Sequence, residues 1–296
     1  MDAVETRGLV KRYGTIEALA GLDLCVPAGS IFGFLGPNGA GKTTTLRILV
    51  GLLRSTAGSA TVLGLDAWKD STAIRARVGY LPGDVHFQDW MTGSAFLAFC
   101  DQARGGRGGV EIRRLCERFD LDIRRRIRDY SRGMKQKLGL IQALMHRPEL
   151  MILDEPGSAL DPLIQQVLYE ELRAAAADGR TVLFSSHTLS EVEQLCDGVA
   201  IIRDGRLIED STVAELRRRA VRRVTFRLKR GEPSEAKYPD GLDARFDGDG
   251  VVTATWTGEV DRLVAWLAET GVCDLTIGPP DLEDLFFAYY RDEGDG

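Results

Sequence analysis

The chain has 296 residues, 44% apolar and 28% charged, with a net charge of −6 at neutral pH. That length suits one large core plus a smaller appended unit, and no stretch approaches the roughly 18 uninterrupted apolar residues of a membrane-spanning helix. Residues 221–296 hold 9 basic and 16 acidic side chains against 29 and 28 in residues 1–220, a balance that repels phosphate polymers and speaks against a nucleic-acid partner.

Met1 to Arg7 is acidic and short of apolar residues, unlike a secretion signal, so the chain is expected to be neither exported nor membrane-spanning by itself. Its five cysteines, at 25, 100, 116, 196 and 273, form no close pair; they read as core thiols, with neither a disulfide framework nor a zinc knuckle. The first strong element is the apolar strand Ile31 to Leu35. It runs into Gly36-Pro37-Asn38-Gly39-Ala40-Gly41-Lys42-Thr43, with a helix expected from near Thr44. Glycines at 36, 39 and 41 let successive N–H groups converge on phosphates, and the positive end of the helix adds attraction. Lys42 is placed to reach the outer phosphates and Thr43 to offer its hydroxyl to a magnesium ion. This octapeptide, between strand and helix, predicts a nucleoside triphosphate site.

From about residue 84 to 146 strong strand patterns are missing, and the segment reads as an inserted helical subdomain with a flexible loop at Gly105-Gly106-Arg107-Gly108-Gly109. The arginines at 124, 125, 126 and 128, and again at 217, 218, 219, 222 and 223, read as solvated helix faces or protein contacts. Leu150 to Leu153 is a buried strand ending in Asp154 and Glu155, and Thr181 to Phe184 is another ending in Ser185, Ser186 and His187. Open α/β sheets bind ligands at such strand ends. Between them Leu163 to Ala177 is a helix stopped at Asp178-Gly179. Ser190 with Glu193 predicts a capping box for the next helix, and Asp204-Gly205 predicts a hairpin between Val199–Arg203 and Arg206–Glu209. Beyond residue 220, alternation at Val224, Phe226 and Leu228 and at Val251, Thr253 and Thr255 suggests strands. A helix is expected over Val260–Leu267, a strand over Val272–Ile277 and a last helix over Leu282–Tyr290.

The chemistry sharpens at the strand ends. Asp154 is placed for a second magnesium contact, and Glu155 for taking a proton from an attacking water. Tyr130-Ser131-Arg132-Gly133-Met134 precedes the helix that leads to that strand, and in this order and spacing the chain resembles an ATP-binding cassette (ABC) transporter ATPase. The resemblance implies an α/β P-loop ATPase over residues 1–218 with the helical subdomain inserted, followed by a small α+β accessory domain over 219–296. It implies ATP and Mg2+ as cofactors. The phosphate-binding set would be Gly36 to Thr44, including Pro37, Asn38, Ala40 and Thr44, with Thr43 and Asp154 on the metal.

By the same resemblance Ser131 and Gly133 stand for the family's L-S-G-G-Q signature, which touches the γ-phosphate held by a second copy in a head-to-tail dimer; Arg132 and Met134 depart from it. Ser158-Ala159-Leu160-Asp161 is similar to the loop connecting the two sites, His187 to the switch histidine, and Tyr13 to the aromatic that stacks on adenine, though packing is its other reading. Where the family usually has a glutamine after Tyr80-Leu81-Pro82 this chain has Gly83, with Gln88 five residues later. The tail Pro280-Asp281-Leu282-Glu283-Asp284-Leu285-Phe286 resembles accessory domains of bacterial exporter ATPases for drugs, lipids or polysaccharides. The expected partners are a separate transmembrane permease, docked on Gly83 to about His146 at the cytoplasmic face of the membrane, and a second ATPase subunit, a homodimer being expected. A regulatory ATP-binding module with negligible turnover and an importer ATPase remain the rival readings.

Overall fold

A computed structural model describes residues 2–228, 238–246, 251–270 and 272–281. The chain separates into two compact units, Met1–Asp210 and Ser211–Gly296. The first begins with two twelve-residue strands, β1 (Asp2–Tyr13) and β2 (Ile16–Pro27), then β3 (Ile31–Leu35), α1 (Lys42–Leu49), β4 (Ala57–Val62), β5 (Leu65–Asp66), α2 (Ser71–Arg77) and β6 (Val78–Leu81). Helices follow: α3 (Gly93–Ala103), α4 (Gly109–Arg118) and, after a single 3-10 turn at Ile127–Asp129, α5 (Arg132–Leu144). The segment read as helical therefore carries three helices, and the glycine loop joins α3 to α4. The unit closes with β7 (Leu150–Asp154), α6 (Pro162–Ala177), β8 (Thr181–Ser186), α7 (Leu189–Leu195), β9 (Gly198–Arg203) and β10 (Arg206–Thr212).

A six-stranded sheet in the order β10-β9-β3-β8-β7-β6 forms the centre. Its pairings from β9 to β6 are parallel. β3, β7 and β8 are buried at every position, as continuous apolar runs in a sheet covered on both faces must be. The turn between β9 and β10 holds Asp204 and Gly205 at φ of 50° and 73°, the backbone a two-residue hairpin needs. A second, antiparallel sheet, β2-β1-β4-β5, was not expected from the sequence pattern. The reason lies in β1, whose pairing with β2 shifts register between Thr6 and Val10, so the two-residue alternation that marks a strand is broken midway. Val4, Leu22 and Leu24 from this sheet pack with Phe34, Leu46, Leu49 and Ile152 in one buried cluster.

Two local expectations are corrected. α1 starts at Lys42 rather than Thr44, so the lysine itself lies in the first helical turn. The box of Ser190 and Glu193 does not form: α7 starts at Leu189 with Thr188 as a cap that makes no side-chain bond, and Ser190 lies inside the helix. Ser186, at the end of β8, fixes this entry instead by accepting the Thr188 N–H at 2.8 Å.

In the second unit α8 (Val213–Arg219) opens on a capping box of Thr212 and Glu215 and ends on Arg217, Arg218 and Arg219. β11 (Val221–Leu228), β12 (Leu242–Phe246), β13 (Val251–Trp256), α9 (Val260–Glu269) and β14 (Val272–Asp281) follow, and the strands pair antiparallel in the order β12-β13-β11-β14. Val224 and Phe226 of β11 face the core with Leu263 and Leu267 of α9. On β13 the buried set is Val252, Ala254 and Trp256, so the alternation noted at Val251, Thr253 and Thr255 marks the opposite face. The expected helix Leu282–Tyr290 lies outside the described residues.

One half-buried histidine makes the first unit sensitive to acid. His146 lies just beyond α5, its Nε2 3.3 Å from the Val78 carbonyl; burial, with help from Arg104, pushes its pKa from 6.5 down to about 4. An unfolded chain takes up this proton first, so the stability it confers is full above pH 6.5 and drains away as the pH falls toward 4. In urea titrations the gap between wild type and His146→Gln should narrow from pH 7 to 4, whereas parallel stability curves would contradict this role.

Candidate functional site

Adjacent parallel strands β3, β8 and β7 end side by side, and their carboxyl ends deliver the three parts of the site. Out of β3 comes the loop 36–41. Gly41 sits at φ 108°, and a Cβ there would meet the Ala18 carbonyl at 2.8 Å, so only glycine can turn the loop into α1 this close to β2. The Gly36 N–H bonds the Ser186 carbonyl at 3.3 Å, fastening the start of the loop to the end of β8. Lys42 is buried at the head of α1, its Nζ donating to the Gly36 carbonyl at 2.5 Å and the Pro37 carbonyl at 3.1 Å. Burial lowers its pKa, while Glu155 and Asp154 pull the other way.

From β7 comes Asp154, 1% exposed. Its Oδ2 accepts the Thr43 hydroxyl at 2.7 Å, and its Oδ1 the Ser185 hydroxyl at 2.5 Å. The next residue, Glu155, takes a φ of 48°, uncommon for a side chain of its size. Bonds from both sides hold it there, the Ser158 N–H donating to its carbonyl at 3.1 Å among them. The Glu155 N–H donates to the Ser185 carbonyl and hydroxyl, at 3.2 and 3.0 Å, and its carbonyl accepts from Gln136 Nε2 at 3.3 Å. The turn aims the Glu155 carboxylate at His187, whose Nδ1 lies 3.3 Å from Oε1.

The structure thus brings together the loop, Thr43, Asp154, Glu155 and His187. The other expected residues stand in separate settings. Ser131 caps α5 by accepting the Met134 N–H, and Gly133 packs so closely on the following loop that a Cβ would lie 2.7 Å from the Ala159 carbonyl. Asp161 caps α6, accepting the Leu163 and Ile164 N–H groups at 3.1 Å. Tyr13 ends β1 with an exposed ring and the Lys11 ammonium 5.1 Å from its centre.

As for metal, no cluster of three or more His, Cys, Asp or Glu side chains among the described residues could hold an ion. Two hard oxygens, Thr43 Oγ1 and Asp154 Oδ2, do stand together. Such a pair fits magnesium, which usually takes one or two protein oxygens plus phosphate and water.

A sequence model of the ABC transporter family matches residues 19–158. The bacitracin transport ATP-binding protein BcrA of Bacillus licheniformis is 33% identical over 292 residues, covering 96% of this chain and 95% of its own length. The chain belongs to the ABC transporter ATP-binding proteins. The daunorubicin/doxorubicin resistance ATP-binding protein DrrA of Streptomyces peucetius is 38% identical over 73% of this chain and 67% of its own length. A solved structure of an ATP-binding subunit of an ABC transporter is 28% identical and superposes with a TM-score of 0.69 over 73% of this chain and 92% of that one.

As an ABC ATP-binding protein the chain is an ATP-binding subunit with ATPase chemistry, and the site holds residues that its motifs did not single out. Ser185 bonds both Asp154 and Glu155, and Gln136, 4% exposed, bonds the Glu155 and Pro156 carbonyls. In sequence both are ordinary strand-end and helix residues, and only the fold gives them partners. Gly83 takes on a positive meaning as well. A Cβ there would stand 3.0 Å from Asp154 Oδ2, against a carboxylate whose two oxygens are both bonded and so cannot turn away. Gly83→Gln is therefore expected to lower ATP turnover about tenfold by disturbing Asp154. A rate above wild type in that variant would show that the position merely lacks its family glutamine.

Proposed function

We propose that the chain powers a membrane exporter of drug, lipid or polysaccharide type by hydrolysing ATP as one half of a head-to-tail dimer. One observation carries the hydrolytic part: a carboxylate, Glu155, is held in a strained turn beside Asp154 and in contact with His187, at the mouth of a phosphate loop. In this reading the loop amides and Lys42 hold the phosphates. Thr43 and Asp154 would hold magnesium, which when bound neutralises phosphate charge. Glu155 accepts the proton of the attacking water, and His187, 3.3 Å from it, orients that carboxylate and faces the γ-phosphate. Ser131 and Gly133 of a second copy close the site, Tyr13 stacks on adenine, and Asp161 lies where the two sites meet.

The exporter part rests on relatives named for bacitracin transport and for daunorubicin and doxorubicin resistance. Among the described residues no helix is long and apolar enough to cross a membrane, which supports a separate permease as the partner and a peripheral place at its cytoplasmic face. The segment from Gly83 to about His146 is the surface assigned to that permease, and residues 219–296 form the accessory domain. A regulator that binds ATP without turnover is the reading Gly83 and Arg132 favour; the Glu155–His187 contact speaks for hydrolysis.

Purified chain, alone and with its neighbouring membrane protein in lipid, should hydrolyse ATP, faster with the permease. Lys42→Ala and Glu155→Gln should each reduce the rate by at least about a hundredfold. Binding of ATP with no Glu155-dependent turnover in either setting would replace the motor with the regulator.

A further inference from the structure

Behind the His187 turn lies a partly buried polar cluster that the reaction as described does not use. Glu191, in the first turn of α7, accepts the Ser186 hydroxyl at 2.6 Å through Oε2 and the Gln165 amide at 2.8 Å through Oε1. Ser186 is 1% exposed. Tyr169 of α6 lies near the same carboxylate, and burial together with that charge raises its phenol pKa. A Cβ at Gly157 would run into Glu191, so the loop after Glu155 lies directly on the carboxylate.

These contacts converge on one function. Ser186 has a single hydroxyl proton; donating it to Glu191 leaves the oxygen free to accept the Thr188 N–H at 2.8 Å, which closes the turn carrying His187. Gln165 and Tyr169 lie on α6, the helix that Asp161 caps. A single carboxylate therefore fastens the His187 turn to the helix after Asp161, with the loop at Gly157 packed against it. We propose that Glu191 is a positioning residue for ATP hydrolysis, holding His187 in register with Glu155 and with the Asp161 loop. The proposal rests on the hydrolytic reading of that pair.

Donor and acceptor chemistry supplies the test. Glu191→Leu removes both acceptors, leaving the Gln165 NH2 without this partner and the Ser186 hydroxyl only the Thr188 carbonyl at 3.1 Å. Glu191→Gln keeps the cluster paired, because its amide oxygen accepts from Ser186 and a half-turn of the Gln165 amide presents an oxygen to the new NH2. Glu191→Leu should lower kcat about tenfold or more, with binding of a fluorescent ATP analogue changed less than about threefold, and Glu191→Gln should stay within about threefold of wild type. Amide exchange should quicken at residues 186–189 and 157–160 in Glu191→Leu and keep the wild-type rate in Glu191→Gln. A Glu191→Leu chain with wild-type kcat and exchange, or a Glu191→Gln chain no better than it, overturns the proposal. Should wild type itself fail to turn over, the hydrolytic reading falls, while the exchange measurement still decides whether Glu191 holds the His187 turn.

Discussion

Asp154 carries a negative charge into surroundings that leave it almost no water, and the site is arranged around keeping that charge satisfied. Left alone, a buried carboxylate costs several kcal/mol. Here each oxygen accepts a short hydroxyl bond, one from the helix after β3 and one from the end of β8, with the Lys42 ammonium also acting on it. Since β8 lies between β3 and β7, these two bonds draw together the ends of three neighbouring strands. The parallel sheet supplies the coarse placement and the carboxylate supplies the fine one.

The same junction sets the geometry of the proposed base. Ser185 bonds Asp154 with its proton and accepts the Glu155 N–H with its oxygen, so the residue that satisfies the buried charge also fixes the strained turn of the proposed base. From the other side Gln136, on the helix that begins at the signature serine, holds the Glu155 and Pro156 carbonyls. The base is thus built into both the strand ends and α5, and Gly133 packing on Ala159 adds a second tie between α5 and the loop before Asp161. Strain of this kind persists only where surroundings over-determine it, and the bonds around Glu155 meet that condition.

Much of this was legible from sequence for a physical reason. Buried parallel strands read as unbroken apolar runs, so β3, β7 and β8 and the polar residues at their ends are legible to within two residues, and the phosphate loop follows from its glycines and lysine. What escaped depends on long-range partners. β1 hides its strand character behind a register shift, and β12, Leu-Asp-Ala-Arg-Phe, is too short and mixed to stand out. The strand β13 is legible from Val251, Thr253 and Thr255, but which face of it is buried is not, because threonine and valine alternate there as regularly as the buried residues do. Ser190 and Glu193 had the spacing of a capping box, yet Ser186, fixed by the sheet, had already closed the turn. Nor could Ser185, Gln136 and Glu191 be distinguished from ordinary polar residues, since their roles arise only when strands and helices distant in sequence meet.

In the proposed dimer one chain supplies the phosphate loop and its carboxylates while a second copy supplies Ser131 and Gly133. A crystal structure of the Glu155→Gln chain grown with ATP and magnesium tests it most directly. Two copies should lie head to tail, each nucleotide between Lys42 and Thr43 of one copy and Ser131 and Gly133 of the other. ATP bound by a single copy with the Ser131 face left open, or bound away from the loop at 36–43, would contradict it.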